Sequence, residues 1–304
     1  MPCKIQAGWI FCLWPFFVLH AQKGPLADQF DAARAFAHVE KQVSFGPRPP
    51  GSTGIQLARQ YLSEELRRHG IKTREQSFQA NTPTGPIQFT NLMATLPGKS
   101  SLFARPHPLI ILGSHYDTKW FPKQRFVGAN DSASSTATLL EIGRILSLNP
   151  QALGSTDVTL MFFDGEEAFR EYDAADGLYG SRHCAANLGR DTSRAKAMIL
   201  LDMIGDRDLN VEISRGEPGL AAKVLEAARL AGCRDLFSLM DHELLDDHVP
   251  FKQRGIPSIC LIDFQYGPQN RWWHTPDDSM DKISAESLRA IGKTTLHLLE
   301  LLAK

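Results

Sequence analysis

The residues in this chain that could do chemistry stand repeatedly at the ends of apolar runs. The run at 109–113 leads into Ser114-His115-Tyr116-Asp117, and the run at 158–163 leads into Asp164-Gly165-Glu166-Glu167. The run at 197–201 ends directly in Asp202. Asp131 follows Gly128-Ala129-Asn130 just ahead of a helical pattern, and His274 follows Trp272-Trp273. A carboxylate or imidazole that emerges from four or five apolar residues is half-desolvated and needs a counter-charge, which a divalent cation supplies. Zinc takes such a mixture of imidazole nitrogen and carboxylate oxygen, and a catalytic zinc keeps one position open for substrate. His115, Asp131, Glu167, Asp202 and His274 are therefore the candidate ligands. Each alone has a plain structural alternative: Asp131 as a helix N-cap, and either histidine as a core residue bonded to backbone. Five at equivalent strand-end positions outweigh those alternatives. Glu166 beside Glu167 adds a division of labour. Adjacent carboxylates on a loop point different ways, so one can bind metal while the other moves protons. An acidic helix N-terminus is the structural alternative.

These side chains converge only if a sheet presents them on one edge. The runs at 109–113, 158–163, 197–201 and 258–262 are short and continuously apolar, as suits strands buried on both faces. Helical spacing marks 28–42, 55–69 (closed by Gly70), 132–148, 220–231 and 285–302, and Gly46-Pro47-Arg48-Pro49-Pro50-Gly51 breaks the chain between the first two. Strands alternating with helices predict a single α/β domain, a mostly parallel mixed β-sheet covered by helices on both faces. Ligands in that architecture sit at the carboxyl ends of strands, where the chemistry-bearing residues fall.

With 43% hydrophobic and 22% charged residues in 304, the chain can bury a sizeable core. Its 33 basic and 34 acidic side chains leave a net charge of −1, so no overall field gathers nucleic acid or an anionic membrane. Residues 1–21 carry Lys4, an apolar stretch over 9–19 and then Leu19-His20-Ala21, the pattern of a signal peptide cut after Ala21. The stretch is interrupted by Pro15 and is shorter than the ~20 apolar residues a membrane span needs. The expected mature domain is 22–304, exported to the periplasm or secreted. It retains Cys184, Cys233 and Cys260, an odd and widely spaced set that forms no disulfide framework and no cysteine-rich metal site.

At these residues the sequence resembles the zinc aminopeptidase family and, within it, the animal-type glutaminyl cyclases. The likeness covers roughly residues 30 to 302. It rests on Gly113-Ser114-His115-Tyr116-Asp117, on Val127 to Ala133, on Phe162 to Phe169, and on Leu178-Tyr179-Gly180-Ser181-Arg182-His183. Asp246-Asp247-His248-Val249-Pro250-Phe251 and Trp273-His274-Thr275 are the more cyclase-like marks. The resemblance implies a zinc exopeptidase-like fold and one zinc per chain held by Asp131, Glu167 and His274, with Glu166 as general acid and base. It implies that Asp202 and Asp247 form a catalytic carboxylate network beside Glu166, and that Trp273 walls the substrate pocket. His115 and Asp202 would hold a second metal if two bind. The sequence departs from the animal enzymes in three places. Tyr172 stands at the pocket where they have a tryptophan, the segment 263–271 is longer, and Ser114 and Thr136 replace a cysteine pair.

The function so implied is conversion of the N-terminal glutamine of peptides to pyroglutamate with release of ammonia. The substrate would be a peptide or protein with a free N-terminal glutamine; neither nucleic acid nor membrane, beyond export, is an expected partner, and the chain is expected to be a monomer. The alternative is a two-zinc aminopeptidase, in which Glu166 serves as the base for a metal-clamped water. The pair Trp272-Trp273 suits a cyclase, which must keep water from the bound amide. A non-catalytic binding domain on the same fold would have lost ligands, and here the set is intact.

Overall fold

The structure, a computed structural model, describes residues 24–99, 106–173 and 175–304; the expected leader lies outside them. In chain order the elements are α1 (Ala32–Ser44), α2 (Thr53–Arg68), β1 (Thr73–Thr82), β2 (Gly85–Leu96), β3 (Leu109–His115), α3 (Ala133–Leu148), β4 (Asp157–Phe163), α4 (Tyr179–Ala186), β5 (Ala195–Asp202), β6 (Val211–Ser214), α5 (Pro218–Leu230), β7 (Phe237–Met240), α6 (Val249–Lys252), β8 (Ser258–Ile262) and α7 (Ala285–Ala303). The four apolar runs all become strands. The helices start where side chains can satisfy the first free amides: Asp31 accepts from the Arg34 amide, Ser52 from Ile55, and Ser284 from Glu286 and Ser287. For that reason the first helix begins at Ala32 rather than at 28, with a separate 3₁₀ turn over Leu26–Gln29 before it.

The strands form one eight-stranded sheet in the order β1-β2-β4-β3-β5-β8-β6-β7. Its centre, β4-β3-β5-β8, is parallel, with Gly113 opposite Met161 and Leu200, and Asp202 opposite Ile262. The outer pairs β1–β2, β2–β4 and β6–β8 are antiparallel, so the sheet is mixed, as expected. The β1–β2 hairpin carries no continuous apolar run. In β1 only alternate positions are half-buried, too weak a signal to stand out in the sequence.

Because successive strand residues face opposite sides, the central strands feed two cores. Ile110, Leu112, Leu160, Ile199 and Leu261 join the larger core with α1, α2, α3, α5 and α7. Leu109, Ile111, Met161, Leu200 and Cys260 join the smaller one under α4 and α6. Helices thus cover both faces. Each of these fully buried aliphatic side chains contributes roughly 1.5–3 kcal/mol by leaving water, so the four central strands form a stiff frame whose shared carboxyl edge fixes the loops above it. Among the described residues no helix is long and apolar enough to cross a membrane.

Candidate active site

The parallel register brings the ends of β3, β4, β5 and β8 to one edge, and the loops leaving them carry the predicted residues. His115 is the last residue of β3 and Asp202 the last of β5, while Glu166 and Glu167 follow the turn after β4. Gly165 makes that turn at φ +78°, and a Cβ there would lie 2.4 Å from the Phe89 ring. Asp131 sits in the tight loop ahead of α3, where Gly128, at φ +53°, leaves no room for a Cβ, which would meet the Asp131 carbonyl oxygen at 1.8 Å. Buried carboxylates hold these loops from behind. Asp117 accepts from the amides of Glu166 (3.2 Å) and Glu167 (3.3 Å), and Asp278 accepts from the amides of Asn130 (2.8 Å) and Asp131 (3.1 Å) and from the Tyr266 hydroxyl (2.8 Å).

All five candidate ligands meet. His274 Nε2 lies 3.3 Å from Asp131 Oδ2 and 3.1 Å from Glu167 Oε1. His115 Nε2 lies 3.2 Å from Asp131 Oδ1 and 3.3 Å from Asp202 Oδ1. Asp131 is therefore common to two donor sets, each of whose atoms lie within 4.8 Å of one another. His115 Nδ1 is 3.4 Å from Asp117 Oδ1, close but too poorly aligned to count as a hydrogen bond. Two carboxylates and an imidazole in each set, all buried or nearly so, suit zinc, and Asp131, Glu167 and His274 fit such an ion. The electrostatics show what the ion would relieve. Burial opposes ionisation of Asp131, yet hydrogen bonds from His115 and His274 carry it well below the usual carboxylate range. Burial likewise disfavours the His274 cation, but Glu167 and Asp131 outweigh it and lift the imidazole to about 9. A bound cation would supply the positive charge that these buried carboxylates draw from the two imidazoles.

Glu166 belongs to neither donor set. Its Oε1 accepts from the Tyr172 hydroxyl. Burial, followed by the charges of Glu167, Asp246 and Asp247, pushes its carboxyl well above the ordinary value, with His115 opposing. A cavity of about 330 Å³ opens onto it, bounded by Asp131, Glu167, Asp202, Tyr172, Trp273 and His274, with Leu244, Ile262 and Phe264 supplying apolar wall. Trp273 stacks on His274 at 4.0 Å between ring centroids and leans on Phe264 at 5.1 Å. A larger cavity of about 430 Å³ between α2, α3 and the β2–β4 edge has no carboxylate in its lining and lacks the means for this chemistry.

The structure adds to the sequence reading at several residues. Asp246 lines the cavity beside the expected Asp247, and the charges of both act on Glu166. Asp247 points into protein; Ser181 eases its charge without a well-formed hydrogen bond, and burial raises its carboxyl to about 7. Which member of the Asp-Asp pair faces inward depends on the turn into α6, which the sequence does not reveal. Trp272 does not share the pocket with Trp273. It packs edge-on against Tyr266 at 5.6 Å, under the Lys282 ammonium. Lys119 was not anticipated: its Nζ lies 3.6 Å from Glu167 Oε2 and donates to the Ala168 carbonyl at 3.0 Å. Phe264 and Asp278 were also missed: Phe264 follows the end of β8 but carries no titratable group to mark it, and Asp278 stands at no strand end.

Comparison with known proteins places this geometry. The model of peptidase family M28 matches residues 91–299. A glutaminyl-peptide cyclotransferase from Bothrops jararaca is 33% identical over 286 residues, covering 81% of this chain and 75% of the relative. The crystal structure of a glutaminyl cyclase from an Acidobacteriales bacterium superposes with a TM-score of 0.84 at 33% identity, over 93% of this chain and 97% of that one. The Porphyromonas gingivalis glutaminyl cyclase does so with a TM-score of 0.80 at 31% identity, over 90% and 99%. The shared edge of donors, the paired glutamates and this likeness along most of the chain lead to one conclusion: the chain belongs to peptidase family M28 and, within it, to the glutaminyl-peptide cyclotransferases.

Proposed function

We propose that the cavity converts the N-terminal glutamine of a peptide into pyroglutamate and releases ammonia. The observation that carries this reading is the placing of Glu166, with Tyr172 on one oxygen, across a small and partly apolar cavity from Trp273, beside the set Asp131, Glu167 and His274. That set would hold one zinc per chain, which when bound supplies Lewis-acid polarisation of the side-chain amide carbonyl. The remaining work falls to the chain. Trp273 and Phe264 offer a flat apolar wall that holds the glutamine side chain folded toward its own α-amine, so that nucleophile and electrophile meet without a diffusional step. Leu244 and Ile262 keep water from the carbonyl carbon. With Oε1 engaged by Tyr172, Glu166 uses its other oxygen to take the proton from the attacking amine and deliver it to the departing nitrogen. One C–N bond forms, one breaks, and ammonia carries the proton away.

The donors fit a second reading in one respect. Asp131 is shared between two sets, as a two-metal aminopeptidase requires, with His115 and Asp202 as the further ligands. Incubation with a peptide beginning in glutamine separates the two by mass. Loss of one ammonia supports the cyclase, loss of the first residue supports the peptidase, and an unchanged peptide refutes both. Export through a leader at 1–21 belongs to the same reading, and mass spectrometry of the mature protein, beginning at Gln22 or its pyroglutamate, tests it.

A further inference from the structure

Where β8 passes the loop ahead of α6, three donors of a different kind meet: Asp246, His248 and Cys260. An atom of each lies within 4.8 Å of the others, and the residues are only 4%, 1% and 5% exposed. Cys260 Sγ donates to Asp246 Oδ2 at 3.3 Å. His248 has its Nε2 3.5 Å from Glu243 Oε1, and Glu243 is in turn held by Lys252 Nζ at 2.5 and 2.7 Å. Its other ring nitrogen, Nδ1, is buried and has no hydrogen-bond partner among the described residues. When the ring is neutral and its proton is on Nε2, the Nδ1 lone pair is free to bind an ion. An imidazole that binds metal has this disposition, with one nitrogen on the ion and the other turned toward a carboxylate that fixes the ring.

We propose that Asp246, His248 and Cys260 form a second metal site, separate from Asp131–Glu167–His274, for a thiolate-binding divalent ion of the zinc class. Sulfur, imidazole nitrogen and carboxylate oxygen together suit zinc, whereas calcium and magnesium take oxygen. In the metal-free protein the Cys260 proton lies between sulfur and Asp246. On binding, that proton leaves to solvent, the thiolate and His248 Nδ1 take the ion, and Asp246 completes the set. Asp246 also lines the catalytic cavity, which gives an ion its route in. Once engaged there, Asp246 no longer presents its charge to Glu166, so occupancy lowers turnover. That consequence rests on the role assigned to Glu166; the site itself does not.

The probe is cobalt(II), added to protein already carrying one equivalent of zinc. The expected result is one further equivalent bound, together with a near-ultraviolet thiolate-to-cobalt charge-transfer band. Cys260→Ser should lose both the band and that equivalent while keeping the first metal, and Cys184→Ser should keep both. His248→Gln, which retains the thiol, should weaken cobalt binding at least tenfold and covers the case in which the Cys260 variant does not fold. A second equivalent bound without a band would place the ion at His115 and Asp202 and overturn the proposal, as would a band that survives in Cys260→Ser. A protein with no cyclase activity that still shows the band would refute the catalytic reading and leave this site standing.

Discussion

Replacing Glu166 by glutamine separates proton transfer from every other job the site performs. The residue is 8% exposed, and among the described residues its one side-chain hydrogen bond comes from the Tyr172 hydroxyl, which donates to Oε1. An amide oxygen accepts from Tyr172 as well as a carboxylate does, so the glutamine side chain keeps its place. It has no oxygen able to take a proton from the attacking amine. General acid–base assistance is worth typically about 10²- to 10⁴-fold, and kcat should fall by that factor, equivalent to about 3–5 kcal/mol of lost transition-state stabilisation. KM should change little, because Trp273 and Phe264 still receive the side chain. The proposed metal donors Asp131, Glu167 and His274 are untouched, so zinc per chain should stay at the wild-type value. Stability should move the other way. Burial, together with the charges of Glu167, Asp246 and Asp247, makes an ionised carboxylate unfavourable at this position, and a neutral amide removes that strain, so Tm should rise. Ammonia release from a glutaminyl peptide, elemental analysis and thermal melting measure the three quantities. A variant that turns over within about threefold of wild type, with its zinc in place, would refute the assignment of Glu166 as the base.

Four further outcomes follow from the same geometry. Asp278→Asn puts an amide NH2 where two backbone amides and the Tyr266 hydroxyl need acceptors; an unmet buried donor costs about 1–3 kcal/mol, and zinc affinity should drop alongside Tm in an equilibrium titration. Gly128→Ala should cost far more than Gly154→Ala. Both glycines have positive φ, but only at Gly128 does the added Cβ collide with backbone, so Gly154→Ala should lose only the ~1–2 kcal/mol of left-handed strain in urea unfolding. Removing metal with a chelator should abolish turnover and lower Tm, because the buried carboxylates lose their counter-charge, and one equivalent of zinc should restore both. His38, chiefly through burial, titrates at about 4 instead of 6.5, and its Nδ1 lies 2.6 Å from the Tyr61 hydroxyl. The unfolded chain therefore binds a proton that the folded one refuses. Stability is intact above pH 6.5 and declines as pH falls toward 4, by about 3 kcal/mol at most. Urea midpoints at the two pH extremes should differ less in His38→Gln than in wild type.

The sequence by itself determined the frame and the donor set. Short, continuous apolar runs alternating with helical patterns suit strands buried on both faces, and a polar residue that ends such a strand lies at a sheet edge. His115, Asp202 and the Glu166–Glu167 pair were legible for that reason. Asp131 and His274 were legible through the motifs around them. The tertiary structure decided the rest. That Asp131 serves both His115 and His274, that Asp246 faces the cavity, and that Trp272 leaves the pocket to Trp273 all depend on how loops from distant parts of the chain fold back over the edge. Lys119, Phe264 and Asp278 reach the site the same way, and so do the buried partners His248 and Cys260. Periodicity reports which side of an element is buried, but a loop's direction is set by hydrogen bonds such as those of Asp117 and Asp278 to residues far away in sequence, and no local pattern encodes them.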